Sequence, residues 1–263
     1  MTSQSDVLQI SGIGVRFGGL VALDDVSLTV AAGQIMGVIG PNGAGKTTLF
    51  NVICGFVPPS AGEMSWDGSP LRPKPHQLVS LGIGRTQQAV GLFGGLTVLE
   101  NVMAGTRSAG GKRARFVGQM FGLPGSDRAD RRIRDTAMAH MHALGIDRFA
   151  GDLPGPLPFA IQKRVALARA LIAEPRLLLL DEPASGLGAD EIEELATVIR
   201  GLPGRPGRPC SVMLVEHHMD LVMRVCDEIT VLNFGRVIAR GTPDEIKSSA
   251  AVTDAYLGAE VTD

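Results

Sequence analysis

The chain is poor in the residues that would reveal its chemistry quickly. Among 263 residues there are three cysteines, Cys54, Cys210 and Cys226, far apart and without metal-ligand spacing. This excludes a disulfide-stapled scaffold and leaves buried, reduced thiols as the expectation. Net charge is also scarce, at −2, so bulk charge supports no nucleic-acid partner. No run of about 18 apolar residues occurs, so no membrane-spanning helix is expected. The first residues, Met1-Thr2-Ser3-Gln4-Ser5-Asp6, carry neither a basic head nor an apolar core, and no secretory signal is read there. A soluble, cytoplasmic protein is the expectation. With 44% hydrophobic and 20% charged residues, the chain has enough apolar material for one large domain or a core plus a subdomain.

What is present is concentrated in Gly40-Pro41-Asn42-Gly43-Ala44-Gly45-Lys46-Thr47-Thr48. A Gly, four free positions, then Gly-Lys and a hydroxyl residue form the P-loop pattern. Ile35-Met36-Gly37-Val38-Ile39 before it reads as a buried strand, and Leu49-Phe50-Asn51-Val52-Ile53-Cys54 after it as a helix closed by Gly55. Glycines let successive N–H groups converge on one concavity that accepts phosphate oxygens. The helix N-terminus adds its positive dipole end. Lys46 suits terminal phosphates as a point charge, and Thr47 offers a hydroxyl to magnesium.

A second carrier lies in Leu177-Leu178-Leu179-Leu180-Asp181-Glu182-Pro183. A buried strand ending in two acids puts them at the carboxyl edge of a sheet, where α/β folds hold ligands. The first acid suits magnesium and the second a water molecule.

Elsewhere, residues 7–10 and 26–30 alternate as strands, with Phe17-Gly18-Gly19 in a turn. Phe17 suits stacking on a base, as an aromatic face accepts any flat ring, although an isolated aromatic also suits a core. Residues 63–68 read as a short strand. Helical spacing runs from Thr97 to about Ile146, broken at Gly110-Gly111 and Pro124-Gly125. It carries Arg107, Lys112, Arg113, Arg115, Arg128, Arg131, Arg132 and Arg134, which read first as a solvated face and second as a contact with a partner or lipid headgroups. Helices are predicted over 162–174, 189–202 and 243–256, a strand over 212–215, and a hairpin around Asn233-Phe234-Gly235.

In this order the motifs resemble the ATP-binding subunits of ABC transporters, nearly over the whole chain. Within that superfamily the likeness is to the ATPase subunits of branched-chain amino-acid importers. It is carried by Arg16-Phe17-Gly18-Gly19, the P-loop, residues 51–56, 96–102 and 181–187, Glu216-His217 with Met219, Gly241-Thr242-Pro243, and Ala255-Tyr256-Leu257-Gly258. The resemblance implies an α/β fold: a RecA-like P-loop NTPase core with an N-terminal antiparallel β subdomain and an inserted α-helical subdomain. The whole of residues 1–263 would be a single ABC ATPase domain, with the core at 5–88 and 165–263 and the helical subdomain at about 89–164. It also implies ATP and Mg2+ as cofactors. Phe17 falls at the adenine-stacking position and Gln88 at the glutamine that touches magnesium and the attacking water. Asp181 is the Walker B acid, Glu182 orients or deprotonates water, and His217 is the switch histidine that contacts the γ-phosphate. His218 has no role in the resemblance and is read as a surface residue. The implied partners are membrane permease subunits and a second ATPase chain, with the protein peripheral on the inner face of the cell membrane.

The family signature, Leu-Ser-Gly-Gly-Gln, aligns with Leu157-Pro158-Phe159-Ala160-Ile161, which lacks the serine, both glycines and the glutamine. Pro158 also removes a backbone donor. Gln87 stands where an aromatic is usual, and Gly188 where an acid or amide is usual. In this family the signature of one subunit closes over ATP held by the P-loop of the other, so these departures point to a heterodimer with a related chain. Two other readings fit the same motifs. One is an ABC-type ATPase without a permease, working on ribosomes or DNA, although the chain holds one cassette and no sustained heptads. The other is a binding-only regulatory subunit, opposed by the intact Asp181, Glu182 and His217.

Overall fold

The computed structural model describes residues 6–86, 90–106, 124–204 and 209–257; Gln87, Gln88, Arg107, Lys112, Arg113, Arg115 and Gly258 lie outside them. The chain divides into two compact units, Met1–Gln88 with Arg176–Asp263, and Ala89–Pro175.

The first unit contains two sheets. Strands β1 (Asp6–Phe17), β2 (Leu20–Ala31), β4 (Ala61–Trp66) and β5 (Ser69–Pro70) form an antiparallel sheet in the order β2-β1-β4-β5. Strand β1 runs well past Ile10, where the sequence pattern stops. Leu8 and Ile10 are buried, and so are Ile13 and Val15, so the buried set changes parity. The register with β2 shifts between Ile10 and Ile13, and Gly12 lies there at φ 61. A glycine bulge inserts one residue and returns the apolar side chains to the core face, which a simple alternation count misses.

The second sheet is built from β3 (Ile35–Ile39), β6 (Ile83–Arg85), β7 (Leu177–Asp181), β8 (Ser211–Val215), β9 (Glu228–Asn233) and β10 (Arg236–Gly241), in the order β10-β9-β3-β8-β7-β6. All neighbours are parallel except the hairpin β9–β10. Strands β3, β7 and β8 are buried at every position, as their continuous apolar runs require of parallel strands covered on both faces. Helix α1 (Lys46–Ile53) follows β3, and α2 (Leu78–Leu81) precedes β6.

The second unit is helical. Helix α3 (Val98–Met103) opens with a capping box: Thr97 Oγ1 accepts from the Glu100 N–H, and Glu100 Oε2 accepts from the Thr97 N–H at 2.8 Å. Helix α4 spans Pro124–Ala143. The Pro124-Gly125 pair, expected as a break in the helical spacing, stands at the first described residues of this helix. Helix α5 spans Phe159–Leu171, three residues ahead of the expected start at Gln162. Pro158 is its N-cap at φ −51, ψ 145, and makes no side-chain cap bond, so the polar residue that usually announces a helix is missing.

Back in the first unit, α6 (Ala189–Gly201) and α7 (Met219–Val225) flank β8 in sequence. The tail, expected as one helix, forms two, α8 (Pro243–Lys247) and α9 (Ala250–Leu257). Ser248 is the C-cap of α8; serine offers the backbone bonds that compete with helix continuation. All three cysteines are buried and free, as expected.

Gly105, just beyond α3, packs directly on α5. A Cβ there would overlap the carbonyl oxygen of Arg169, and backbone cannot yield as a flexible side chain can. Gly105→Ala should therefore destabilise the helical unit by about 2 kcal/mol, measured by urea unfolding followed by far-UV circular dichroism. Wild-type stability in this variant would show that the packing is looser than described.

Candidate active site

The loop after β3 is shaped by glycines, two of which leave no room for a side chain. Gly40 has φ 150, and a Cβ there would overlap the Leu232 carbonyl oxygen of β9. Gly45 has φ 104, with a would-be Cβ 2.7 Å from the Ala22 carbonyl oxygen of β2. Gly43, at φ 78, faces open space and is exposed. The loop is tied to the β9–β10 turn by the Gly235 N–H, which donates to the Ala44 carbonyl at 3.0 Å. Helix α1 then begins with no side-chain cap and no acidic residue in its first turn, so its leading N–H groups remain available to an anion.

Lys46 is buried, and its Nζ donates to the carbonyl oxygens of Gly40 at 2.7 Å and Pro41 at 2.9 Å. Burial pushes its pKa down, and the nearby Glu182 charge pushes back up. Thr47 is exposed and Thr48 half-buried.

The two acids arrive on β7. The Asp181 side chain, only 7% exposed, accepts at Oδ2 from Arg85 Nη2 at 3.0 Å. Arg85 ends β6, beside β7, and its other terminal nitrogen donates to Asn51 Oδ1 of α1 at 3.1 Å. The guanidinium also lies 5.7 Å from the Phe56 ring centroid. Arg85 thus joins β6, β7 and α1, a role that sequence reasoning missed. Glu182 follows at φ 46, a left-handed conformation that costs a non-glycine residue about 1 kcal/mol or more. It is held by its own N–H, which donates to the Val215 carbonyl at 2.9 Å, and by its carbonyl, which accepts from the Ser185 N–H at 3.2 Å.

His217 lies two residues beyond the end of β8, with its side chain 54% exposed. His218, read from sequence as a surface residue, is instead half-buried, with Nδ1 3.1 Å from Glu216 Oε2. Glu216 itself is fully buried and was not foreseen as a site residue. The signal was present: a lone acid continuing an all-apolar strand, with no cation nearby in sequence.

Residues 40–48, Asp181, Glu182 and His217 therefore gather beyond the carboxyl ends of β3, β7 and β8. Phe17 ends β1 and is 51% exposed, so it is no core residue. Its partner strand approaches the loop at Ala22. Gln88 lies outside the described residues. Leu157, Pro158, Phe159, Ala160 and Ile161 belong to the second unit. Phe159, Ala160 and Ile161 form the first turn of α5, with Phe159 44% exposed, Ala160 buried, and the Lys163 ammonium 5.3 Å from the Phe159 ring centroid.

A glycine loop leading into an uncapped helix start, a lysine and a strand-end acid pair fit a nucleotide's phosphates, and comparison with known proteins agrees. The ABC transporter family model matches residues 23–185. The chain belongs to the ABC transporter ATP-binding family. A second model, for branched-chain amino acid ATP-binding cassette transporters, matches residues 236–262. The high-affinity branched-chain amino acid transport ATP-binding protein BraF of Pseudomonas aeruginosa is 38% identical, over 96% of this chain and 98% of that protein. Two solved structures have the same fold. A nucleotide-free ATP-binding cassette from an ABC transporter has a TM-score of 0.81 and 28% identity, covering 95% of this chain and 98% of that one. An ATP-binding cassette in its ADP conformation has a TM-score of 0.80 and 26% identity, covering 96% and 99%. The resemblance read from the motifs and the P-loop NTPase fold class are both upheld, and the chain is an ATPase of this family.

Arg85 and Asp181 are both largely buried, so removing one leaves the other without its opposite charge. Arg85→Met should cost about 3 kcal/mol of stability. The Arg85→Met, Asp181→Asn double variant should lose less than the sum of the single losses, with a coupling of about 1 kcal/mol or more. Urea unfolding of the four proteins measures this, and strict additivity would mean the pair does not interact.

Proposed function

We propose that this chain is the ATP-hydrolysing, energy-coupling subunit of an importer for branched-chain amino acids or a related small solute. The proposal rests chiefly on the convergence of Lys46, Asp181 and Glu182 at one sheet edge, in a chain related over nearly its full length to BraF. In this reading residues 1–263 form a single ABC ATPase domain, with a core at 5–88 and 165–263 and a helical subdomain at about 89–164. The backbone of residues 40–48 and Lys46 hold the ATP phosphates, and Phe17 stacks on the adenine. Thr47, Asp181 and Gln88 would hold Mg2+, which supplies charge neutralisation to the phosphates when bound. The exposed Thr47 hydroxyl and the Asp181 carboxylate, with one oxygen on Arg85, are oxygen donors of the kind that cation takes. Glu182 orients or deprotonates water, and His217 contacts the γ-phosphate. Catalysis in such a site is mostly positioning and electrostatics.

The partners in this reading are membrane permease subunits, which would hold the chain at the inner face of the membrane, and a second ATPase chain. No helix among the described residues is long and apolar enough to cross a membrane. The second chain is proposed to be a related protein, not a copy of this one, because Leu157-Pro158-Phe159-Ala160-Ile161 replaces the family signature. The first turn of α5 offers backbone N–H groups, but no hydroxyl and no glycine. The likeness to a transport ATP-binding protein over 96% of the chain favours this reading over a permease-free ATPase acting on ribosomes or DNA.

ATPase turnover of the chain alone, and mixed with a candidate related ATPase chain, tests the proposal. Activity should appear in the mixture, and Glu182→Gln should lower it by about 10²-fold or more. Equal activity from the chain alone would remove the case for a heterodimer, and an active Glu182→Gln protein would remove Glu182 from its role.

A further inference from the structure

Glu216 is a buried carboxylate with no Lys or Arg against it in the contacts described, held by backbone donors instead. Its Oε1 accepts from the Ala184 N–H at 2.6 Å. Its Oε2 accepts from the N–H groups of His217 at 2.9 Å and His218 at 3.0 Å, and the His218 ring nitrogen Nδ1 lies 3.1 Å away. The side chain is fully buried. Burying a carboxylate is costly unless every lone pair finds a donor, and here each oxygen does.

The donors come from two different segments. Ala184 lies two residues beyond Glu182, across Pro183, in the turn that leaves β7. His217 and His218 follow β8. The same two segments are already joined by the Glu182 N–H on the Val215 carbonyl. Glu216 therefore adds a second clamp on the turn that holds Glu182 at φ 46, and its other oxygen sets the peptide direction at His217. We infer that Glu216 is a positioning residue: one carboxylate fixes the backbone of Glu182 and of His217 relative to each other, so that both face the γ-phosphate position together. The inference rests on the roles proposed above for Glu182 and His217.

The cluster invites a metal reading, because Glu216, His217 and His218 offer ligand atoms within 4.8 Å of one another. The geometry argues otherwise. Both carboxylate oxygens already accept N–H bonds, and the positive ends of those donors would face an incoming cation. The group is built as an acceptor for backbone amides.

Replacement of the carboxylate by an amide is the direct test, since it keeps size while setting an NH2 group against N–H donors at one end. Replacement by Asp keeps the charge but shortens the reach, so it cannot serve Ala184 and residues 217–218 at once. The assay uses full-length chain in whichever pairing gives wild-type turnover, with ATP binding measured separately by calorimetry. Glu216→Gln and Glu216→Asp should bind ATP within about threefold of wild type while kcat falls by about tenfold to 10²-fold, as for a small misplacement of reacting groups. His218→Gln, which leaves the three backbone bonds in place, should stay within about threefold of wild type in kcat.

Glu182→Gln runs alongside to separate this inference from the reading it rests on. If Glu182→Gln is inactive and both Glu216 variants turn over at the wild-type rate, Glu216 has no positioning role and the assignment of Glu182 stands. If Glu182→Gln remains active, the assignment of Glu182 falls first, and this inference with it. If Glu216→Gln does not fold, Glu216→Asp decides. An Asp variant that loses ATP binding and turnover in equal measure marks a general structural role and overturns the inference.

Discussion

The register of three parallel strands is the constraint on which the site depends. Val38 of β3 lies opposite Val215 of β8, and Val215 opposite Asp181 of β7. Because the strands are parallel and buried on both faces, they reach the same edge at the same level. The next residues along each strand are then Ile39, Glu216 and Glu182, and Gly40 opens the phosphate loop one position after Ile39. A slip of one residue in any strand would turn its side chains to the opposite face of the sheet. Each strand is packed at every position, so a slip would exchange the side chains packed on the two faces and disturb both layers. Core packing therefore brings the phosphate loop, the acid pair and the histidine segment to one edge, and the Glu216 and Val215 bonds then tie together the turns that follow β7 and β8.

The charges at that edge are balanced in two distinct ways. Asp181 is matched by a fixed cation, with Arg85 anchored on β6 and bonded to Asn51 of α1. Lys46 is matched by dipoles, its ammonium resting on the Gly40 and Pro41 carbonyls. The difference matters chemically. A guanidinium on a carboxylate is a strong, charge-assisted and directional pair that resists exchange. An ammonium on two neutral carbonyls can turn to a phosphate oxygen, where the partner is charged and the bond correspondingly stronger. Burial already disfavours the charged amine, so an anion that arrives also relieves a desolvation cost. The lysine is held ready, while the arginine is structural.

Much of this was legible in the sequence, and the parts that were not share a physical cause. The loop glycines, the four leucines and the acids after them are local patterns, each set by one strand or one turn. The bulge at Gly12 was invisible to an alternation count, because the count assumes a constant period. The start of α5 at Phe159 was missed because Pro158 caps it without a polar side chain. Arg85 on Asp181 joins residues far apart in sequence, and Glu216 reaches from the end of β8 to the turn after β7. Both contacts exist only once β6, β7 and β8 are neighbours. The left-handed backbone at Glu182 is likewise imposed by bonds from β8 and has no signal of its own, as glutamate is an ordinary residue in a strand-end turn.

The two units of the chain differ in how completely they are equipped. In the first, the uncapped start of α1, Lys46 and the Asp181–Glu182 pair are present, and the groups around them are themselves supported. Arg85 supports Asp181, and the Val215 carbonyl with Glu216 supports the Glu182 turn. In the second, the segment aligned with the family signature forms a helical turn whose side chains are apolar, with Phe159 exposed and carrying Lys163 against its ring. Such a turn retains only what every helix start has, a set of unpaired N–H groups and a positive dipole end. A hydroxyl would add a directional donor, and glycines would let an anion approach the backbone closely; neither is available. Selection for hydrolysis in a symmetric pair would act on both units equally. Well-supported acids in one unit and a bare helix start in the other are what the proposed pairing with a different ATPase chain requires.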